Sequence, residues 1–402
     1  MSLNQVVSAE RVHIGFFGLR NAGKSSLVNA VTGQKLSLVS DFKGTTTDPV
    51  QKAMEILPLG PVVIIDTPGI DDEGELGEMR VARAKQVLSK IHIAVLVTEA
   101  ERDLQPAERE LIKAFEEKKI PYIIAKNKSD LLNEVPNADQ NSIFVSATKG
   151  SNIYELKEKI AAILKGNENN KKILADIVSY GDKVILVIPI DESAPKGRLI
   201  LPQQQTLREL LEIGATTIVV KTEELADALE SLKTPPKLVV TDSQAFGEVS
   251  KIVPKDIMLT SFSILFARYK GDLERVVKGA YALDGLKDGD TVLISEGCTH
   301  HRQCKDIGTV KLPGWIENYT GKKLNFSFTS GTEFPEDVSE YSLVVHCGGC
   351  MLNEKEMKSR LGVCTEQGIP VTNYGIAIAQ MHGILKRSIE MFPDLLSILE
   401  EN

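Results

Sequence analysis

Long apolar runs are missing from the sequence, and this absence limits where the protein can reside. Among the 402 residues, the longest nearly unbroken apolar stretch is Val184–Ile190. A membrane span requires ~18 residues, so we expect no membrane-spanning segment and no membrane partner. Met1–Gln5 shows neither the charged start nor the apolar core of a signal peptide. We therefore expect a cytoplasmic protein.

The sequence also has fewer positively than negatively charged residues. The chain carries 47 Lys and Arg residues against 55 Asp and Glu residues, which gives a formal net charge of -8. Neither end of the sequence carries a run of Lys and Arg residues. Without a basic field, the chain has no global attraction for phosphate backbones, and we expect no nucleic-acid partner.

Cysteine is absent from the first 297 residues, and all five cysteines fall between positions 298 and 364. Five cysteines are too few for a disulfide scaffold in a chain of this length. In a reducing compartment, clustered cysteines indicate a metal or redox chemistry before they indicate disulfides. Residues 298–364 therefore predict a cysteine-based metal or redox site, of which the first 297 residues show no sign.

The pattern of apolar residues predicts an α/β protein. Strand-like runs alternate with helical spacing, which is typical of mostly parallel sheets covered by helices. The strands predicted in the first part of the chain are Val12–Phe17, Val62–Asp66, Ile91–Val97, Tyr122–Lys126 and Ile143–Val145. A polar segment at 165–172 and a Gly- and charge-rich stretch at 270–290 interrupt this alternation. At ~150 residues per domain, the length accommodates two to three domains. We predict three α/β domains, at 1–168, 169–270 and 271–402, the first with a mostly parallel sheet.

A glycine-rich segment in the first domain predicts a phosphate-binding loop. Gly18-Leu19-Arg20-Asn21-Ala22-Gly23-Lys24-Ser25 lies between a predicted strand and a predicted helix, as such a loop requires. Its glycines let backbone N–H groups close around phosphate oxygens, Lys24 reaches the β- and γ-phosphates, and the Ser25 hydroxyl binds Mg2+. The residues that we assign to nucleotide binding here are Gly18, Asn21, Ala22, Gly23, Lys24, Ser25 and Ser26.

Four later motifs predict that the nucleotide is GTP. Asp66-Thr67-Pro68-Gly69 ends a buried strand, where Asp66 would hold Mg2+ through water and the Gly69 N–H would sense the γ-phosphate. Asp130 of the Asn-Lys-Ser-Asp motif can accept two hydrogen bonds from guanine, an arrangement that adenine cannot match. The loop Gly44–Asp48 is rich in hydroxyls that could close on Mg2+ and phosphate, with Thr46 as a second Mg2+ ligand. Ser146-Ala147-Thr148 follows the next predicted strand and would back the base with a main-chain N–H. The assigned residues are Thr45, Thr46, Asp66, Gly69, Asn127, Lys128, Asp130, Ser146 and Ala147. The catalytic set is Lys24, Thr46, Asp66 and Gly69.

Residues 11–165 resemble the Era/TrmE-like branch of small GTPases, which carries the same Gly-Thr-Thr loop and Asp-Thr-Pro-Gly motif. Ile70 stands where signalling GTPases carry a glutamine that orients the attacking water. In the resembling branch, an asparagine at the position of Asn21 often coordinates a potassium ion that assists hydrolysis. The resemblance therefore implies a slow, potassium-stimulated hydrolase of GTP.

Two cysteine half-motifs in the last domain predict a metal centre. Cys298-Thr299-His300 and His346-Cys347-Gly348-Gly349-Cys350 each follow a predicted strand, and 45 residues separate the two histidines. Zinc would take four of these five side chains. A 4Fe-4S cluster prefers four thiolates, and three are present here. Cys304 and Cys364 fall outside the pattern, and for them we expect ordinary structural roles.

The whole chain resembles the FeFe-hydrogenase maturation GTPases, the family usually called HydF. The resemblance rests on GTPase motifs followed by Cys-x-His and then His-Cys-x-x-Cys, and on Arg198–Gln203 in the middle domain. It implies that the middle domain forms a homodimer and that the last domain holds a 4Fe-4S cluster. The implied cluster ligands are Cys298, Cys347 and Cys350, with His346 and, slightly behind it, His300 as candidates for the fourth position.

The same resemblance implies a role in assembly. Members of this family act as the scaffold or carrier for the di-iron subcluster of the hydrogenase active site. Two radical-SAM maturases supply the ligands of this subcluster, and the product passes to the apo FeFe-hydrogenase. The implied cargo is therefore a transient di-iron subcluster precursor.

The residues alone leave two other interpretations open. A ribosome- or tRNA-directed GTPase with a structural zinc domain would use the same GTPase motifs, although the acidic balance argues against it. A non-catalytic module that merely senses GTP is disfavoured by the intact Lys24, Ser25 and Asp66.

Overall fold

The chain forms two compact units, Met1–Asn169 and Asn170–Asn402. The computed structural model describes residues 8–34, 50–69, 86–165, 171–190, 199–297, 307–331 and 333–400. Within these ranges, the helices fall short of the length and hydrophobicity needed to cross a lipid bilayer.

The first unit is built on a six-stranded sheet in the order β2-β3-β1-β4-β5-β6. All neighbouring pairs are parallel except β2 with β3. This confirms the predicted α/β class and the mostly parallel sheet. The strands are β1 (Val12–Phe17), β2 (Val50–Ile56), β3 (Gly60–Asp66), β4 (Ile93–Glu99), β5 (Tyr122–Asn127) and β6 (Ser142–Phe144).

Helices cover both faces of this sheet, which explains why the central strand β4 is almost continuously apolar and buried. Successive side chains of a strand point to opposite faces, so Phe16 and Phe17 enter two different apolar clusters. Leu27 of the first helix packs in the cluster of Phe16, and Phe115 of the second packs in that of Phe17. The helices described in this unit are α1 (Lys24–Thr32), α2 (Pro106–Glu117) and α3 (Ile153–Lys165).

The second unit contains two four-stranded sheets, in the orders β10-β9-β7-β8 and β12-β11-β13-β14. All of their neighbouring pairs are parallel. The strands of the first sheet are β7 (Lys183–Val187), β8 (Thr216–Val220), β9 (Leu238–Thr241) and β10 (Met258–Ser261). Those of the second are β11 (Thr291–Ser295), β12 (Asn325–Thr329), β13 (Leu343–His346) and β14 (Val371–Asn373).

One apolar core runs through both sheets of the second unit, since Leu186 of β7 and Val344 of β13 belong to the same buried cluster. The division predicted at residue 270 falls between the two sheets, and the division into three domains stays a prediction. The helices are α4 (Leu201–Ile213), α5 (Leu225–Ser231), α6 (Phe246–Ile252), α7 (Phe262–Lys270), α8 (Leu273–Ala280), α9 (Leu312–Thr320), α10 (Glu354–Glu366), α11 (Tyr374–Met381), α12 (Leu385–Ile389) and α13 (Pro393–Glu400).

Candidate functional site

The glycine-rich loop connects β1 to α1 and closes around the ammonium group of Lys24. Lys24 Nζ donates to Gly18 O and Leu19 O, each at 2.9 Å, and the residue is 8% exposed. Gly18 has a φ of 145°, and a Cβ there would lie 2.2 Å from Val97 O. Gly18 is therefore required by the close approach of β4, and the loop places a buried cation where phosphates would bind.

A hydroxyl and a carboxylate meet next to this loop. Ser25 Oγ donates to Asp66 Oδ2 at 3.1 Å. Asp66 Oδ1 is buried and has no hydrogen-bond partner among the described residues. Burial raises the pKa of the Asp66 carboxyl, while the charge of Lys24 and the hydrogen bond from Ser25 lower it. An uncommitted carboxylate oxygen beside a hydroxyl fits Mg2+, which prefers oxygen ligands.

The Asp-Thr-Pro-Gly motif lies against the phosphate-binding loop. Thr67 Oγ1 donates to Phe16 O at 2.7 Å, which fastens the end of β3 to β1. A Cβ at Gly69 would lie 3.0 Å from Arg20 N, so the backbone of Gly69 reaches the loop. The other predicted residues of this region, Thr45, Thr46 and Ile70, lie outside the described residues.

Asn127 joins the predicted base-binding motifs to the phosphate-binding loop. Its Nδ2 donates to Ala22 O at 3.1 Å, and its Oδ1 accepts from Ala147 N at 3.1 Å. Asp130 is exposed, and its Oδ1 accepts from Ser146 Oγ at 2.5 Å. The predicted residues of three separate motifs are thus neighbours in space. Lys128 Nζ donates to Glu99 Oε1 at the end of β4. The sequence analysis did not predict Glu99 as a partner of this motif.

The remaining assigned residues of the loop are Asn21 and Ser26, and both are exposed. Asn21 adopts a φ of 65° in the turn that precedes α1. Ser26 lies in the first turn of that helix. Both side chains therefore remain accessible to a ligand.

The strands that precede the two cysteine half-motifs are neighbours, and their carboxyl ends lie side by side. Ser295, the last residue of β11, pairs with His346, the last residue of β13. Cys347 N donates to Ser295 O at 2.9 Å, and Gly297 N donates to Cys347 Sγ at 3.0 Å. Gly297 immediately precedes Cys298 in the sequence. The second half-motif therefore touches the residue that leads into the first.

The thiol of Cys347 lies among backbone donors. Besides Gly297 N, Gly349 N donates to its Sγ at 3.4 Å. Burial raises the pKa of the Cys347 thiol to about 11, although these two N–H groups act in the opposite direction. Burial also raises the pKa of Cys350. A metal ion would take the place of these thiol protons, and N–H···S bonds are among the factors that tune iron–sulfur clusters.

The structure describes two of the three cysteines that the sequence assigns to the cluster. Cys298, His300 and Cys304 fall in the stretch 298–306, outside the described residues. Within the described ranges, there is no group of three or more His, Cys, Asp or Glu residues that could hold a metal ion. Cys364 is buried in the apolar core on α10, away from the motif in sequence.

His346 is bound on both ring nitrogens by protein partners. The ring is 1% exposed, with Nδ1 2.8 Å from Cys347 O and Nε2 3.2 Å from Arg360 Nη1. A guanidinium can only donate, so Nε2 accepts and the Nδ1–H group donates to the carbonyl. Burial lowers the pKa of His346 to about 3, and the charge of Arg360 acts in the same direction. Metal ligation through Nε2 would have to break the Arg360 contact.

Buried charged residues that belong to no sequence motif lie beside the cysteine loop, among them Arg360, Glu296 and Lys270. Arg360 is 4% exposed and donates to Glu356 Oε1 at 3.1 Å. Glu296 is 6% exposed and Lys270 is 4% exposed. A charged residue within an apolar stretch is only weak sequence evidence that the residue is buried. Charged side chains are rarely buried unless they are paired, and the sequence does not show the partner. Sequence reasoning missed all three.

The strand order, the buried loop lysine and the Ser25–Asp66 pair define the first unit as a P-loop GTPase domain. A family model described as "50S ribosome-binding GTPase" matches residues 13–128. The second unit is matched by two others, the hydrogen maturase F dimerization domain over residues 173–271 and the hydrogen maturase F tetramerization domain over residues 274–391. The chain therefore belongs to the hydrogen maturase F family, HydF.

Relatives of the first unit are Era- and MnmE-like GTPases. The tRNA modification GTPase MnmE of Clostridioides difficile strain 630 is 32% identical over 166 residues, which cover 39% of this chain and 36% of that protein. GTPase Era of Carboxydothermus hydrogenoformans is 29% identical, over 38% of this chain and 54% of that protein. The chain thus spans about a third to a half of the length of these relatives. A crystal structure of a probable GTP-binding protein engB matches at 26% identity and a TM-score of 0.33, over 39% of this chain and 100% of that chain.

Proposed function

We propose that this protein is a GTP hydrolase that also serves as an iron–sulfur scaffold and carrier. In this proposal it assembles the di-iron subcluster of an FeFe-hydrogenase and delivers it to the apo-hydrogenase in the cytoplasm. The observation that carries the proposal is the contact of Gly297 N with Cys347 Sγ at 3.0 Å. This contact brings Cys347 of the second half-motif to the residue that immediately precedes Cys298 in the sequence, within the segment that matches the hydrogen maturase F tetramerization domain.

In the GTPase domain, we propose a role for each residue of the sequence motifs. Lys24 would pair with the β- and γ-phosphates, and Ser25 and Asp66 would hold Mg2+, with Thr46 as a further ligand. Bound Mg2+ would neutralise the charge that develops on these phosphates. The Gly69 N–H would donate a hydrogen bond to the γ-phosphate and so distinguish GTP from GDP. Because no glutamine is available at Ile70 to orient the attacking water, we propose that turnover is slow.

In the second unit, we assign a 4Fe-4S cluster to Cys298, Cys347 and Cys350. His346 already uses both ring nitrogens, so we place the fourth, exchangeable position on His300 in preference to His346. The cluster, when bound, would supply an iron atom with an exchangeable ligand, the place at which the di-iron precursor would be held. The proposed partners are radical-SAM maturases, the apo-hydrogenase and a second copy of this chain, consistent with the dimerization-domain match.

Anaerobic iron and sulfide analysis, with EPR of the reduced full-length protein, tests this proposal. We expect about four irons and four sulfides per chain and the signal of a reduced cluster. Stoichiometric zinc without such a signal would contradict the proposal. That result would favour a ribosome- or tRNA-directed GTPase with a structural zinc domain. The name of the MnmE relatives, tRNA modification GTPase, agrees with the tRNA part of this alternative.

Potassium is expected to stimulate hydrolysis, because Asn21 lies exposed at the phosphate-binding loop with its side chain accessible to a cation. Turnover of GTP should be several-fold faster in potassium buffer than in sodium buffer at the same ionic strength. Asn21→Ala should remove most of this difference, whereas Asn29→Ala, in the same helix–loop region, should retain it. Equal turnover of the unmodified protein in the two buffers would remove potassium from the proposal.

Asp130→Asn is expected to change the preferred base from guanine to xanthine. Hydrogen bonds to charged groups contribute about 1.5–3 kcal/mol each, so the loss of two should weaken GTP binding about 100-fold or more. Xanthosine triphosphate has a carbonyl in place of the guanine amine and should bind the variant better than GTP. Equilibrium titration with both nucleotides measures this, with the exposed Asp139→Asn as the matched control. Unchanged GTP affinity in Asp130→Asn would place the base elsewhere.

A further inference from the structure

Lys270 is a buried cation that the GTPase and cysteine motifs do not account for. It is the last residue of α7 and is 4% exposed. Lysine side chains are almost never fully buried unless a partner compensates their charge, because removing an ammonium group from water is costly. The position of Lys270 therefore requires an explanation in its surroundings.

The ammonium group of Lys270 is directed at the turn that carries Cys350. Lys270 Nζ donates to Cys350 O at 3.2 Å and to Leu352 O at 3.1 Å. The two carbonyls belong to the residues on either side of Met351, so one side chain holds both ends of the turn that follows Cys350. The same nitrogen lies 5.8 Å from the ring centroid of Phe266, one turn earlier on α7.

The charge of Lys270 would also act on a cluster bound at this turn. The hydrogen bonds to Cys350 O and Leu352 O hold the ammonium group against the backbone of the cysteine turn. A buried cation beside a cluster favours additional negative charge on it, and net charge is one of the factors that set cluster potentials.

We propose that Lys270 is a positioning residue of the iron–sulfur site, which holds the Cys350 turn and raises the reduction potential of the bound cluster. This inference rests on the proposed function, because it requires a cluster at Cys350. It adds a residue from α7, in the segment that matches the dimerization domain, to a site formed by the segment that matches the tetramerization domain.

The test compares variants that separate charge from hydrogen bonding. Lys270→Met removes both, Lys270→Gln keeps an amide donor without the charge, and Lys270→Arg keeps the charge. Arg387→Met is the matched control, since Arg387 donates to the carbonyls of Ser250, Val253, Pro254 and Ile257, which lie outside the cysteine loop. Each full-length protein is reconstituted anaerobically, and the cluster is titrated against redox mediators with EPR detection and iron analysis.

At the midpoint potential of the unmodified protein, we expect Lys270→Gln and Lys270→Met to raise the ratio of oxidised to reduced cluster about tenfold. For a one-electron couple, this corresponds to a shift of ~59 mV to more negative potential. Lys270→Arg and Arg387→Met should stay within about twofold of the unmodified protein, which corresponds to less than ~20 mV by the same constant. A purely structural role would change the iron content of the variants but not the potential of the cluster that remains.

The outcomes distinguish this inference from the proposed function. If Lys270→Met folds poorly, Lys270→Gln decides, because it retains a donor for the two carbonyls. A cluster of unchanged potential in Lys270→Gln would overturn the role of Lys270 and leave the iron–sulfur proposal intact. An unmodified protein that assembles no cluster at all would overturn both.

Discussion

Lys24→Ala is expected to lower kcat/KM for GTP hydrolysis by about 100- to 1,000-fold. The variant removes the cation that the loop holds through Gly18 O and Leu19 O at 2.9 Å each. It leaves the fold of the loop largely in place, since Gly18 packs on Val97 and Asn127 holds Ala22 O independently of Lys24. The loss should therefore appear in catalysis and nucleotide binding rather than in thermal stability.

Steady-state phosphate release, measured over a range of GTP concentrations, checks this expectation. Lys113→Ala is the matched control, because the Lys113 side chain is 77% exposed on α2 of the same unit. A Lys24→Ala variant that turns over GTP within about threefold of the unmodified protein would show that phosphates bind elsewhere. Phosphate release by the unmodified protein would also exclude a module that merely senses GTP.

The same variant tests how GTP acts in the proposed delivery of the cluster. γ-Phosphate contacts order switch loops in GTPases, and ordered loops can bind a partner. In this proposal GTP therefore controls association with partners and does not take part in chemistry at the cluster. If GTP controls partner exchange, transfer to the apo-hydrogenase should depend on GTP in the unmodified protein and lose that dependence in Lys24→Ala. If transfer proceeds equally with and without GTP, and equally in Lys24→Ala, GTP does not control partner exchange.

The phosphate-binding loop could be predicted from the sequence because its determinants are local. Gly18, Lys24 and Ser25 lie within eight consecutive residues, and the geometry that they need is set by one strand and one helix. The strand β4, which is buried on both faces, was also predicted, because strands of this kind in parallel sheets are continuously apolar. The antiparallel edge strand β2 was missed, since its exposed residues, including Gln51 and Lys52, interrupt the apolar pattern.

The surroundings of the cysteines could not be predicted, because they depend on contacts between residues distant in sequence. Arg360 reaches His346 from α10, and no local pattern shows that it occupies the ring nitrogen that a metal would need. Lys270 reaches Cys350 across 80 positions of the sequence. The motif thus indicated the chemistry of the site, while the fold determines which side chains remain available for it.

Cys347→Ser is expected to reduce the iron content of the reconstituted protein from about four per chain to below about one. The Cys347 sulfur accepts hydrogen bonds from Gly297 N and Gly349 N. A serine oxygen is a poor ligand for iron at neutral pH, because its proton is held far more firmly than that of a thiol. The variant should therefore keep these backbone contacts and lose the metal.

The control for this experiment is Cys364→Ala, which shortens a cysteine that is buried in the core on α10 and lies outside the motif. It should keep the full iron content and the EPR signal, at the cost of a small loss in thermal stability. Equal iron in Cys347→Ser and the unmodified protein would exclude Cys347 as a ligand. Loss of iron in both variants would instead trace the effect to the folding of the second unit. Only a loss confined to Cys347→Ser connects the contact between Gly297 and Cys347 to metal binding.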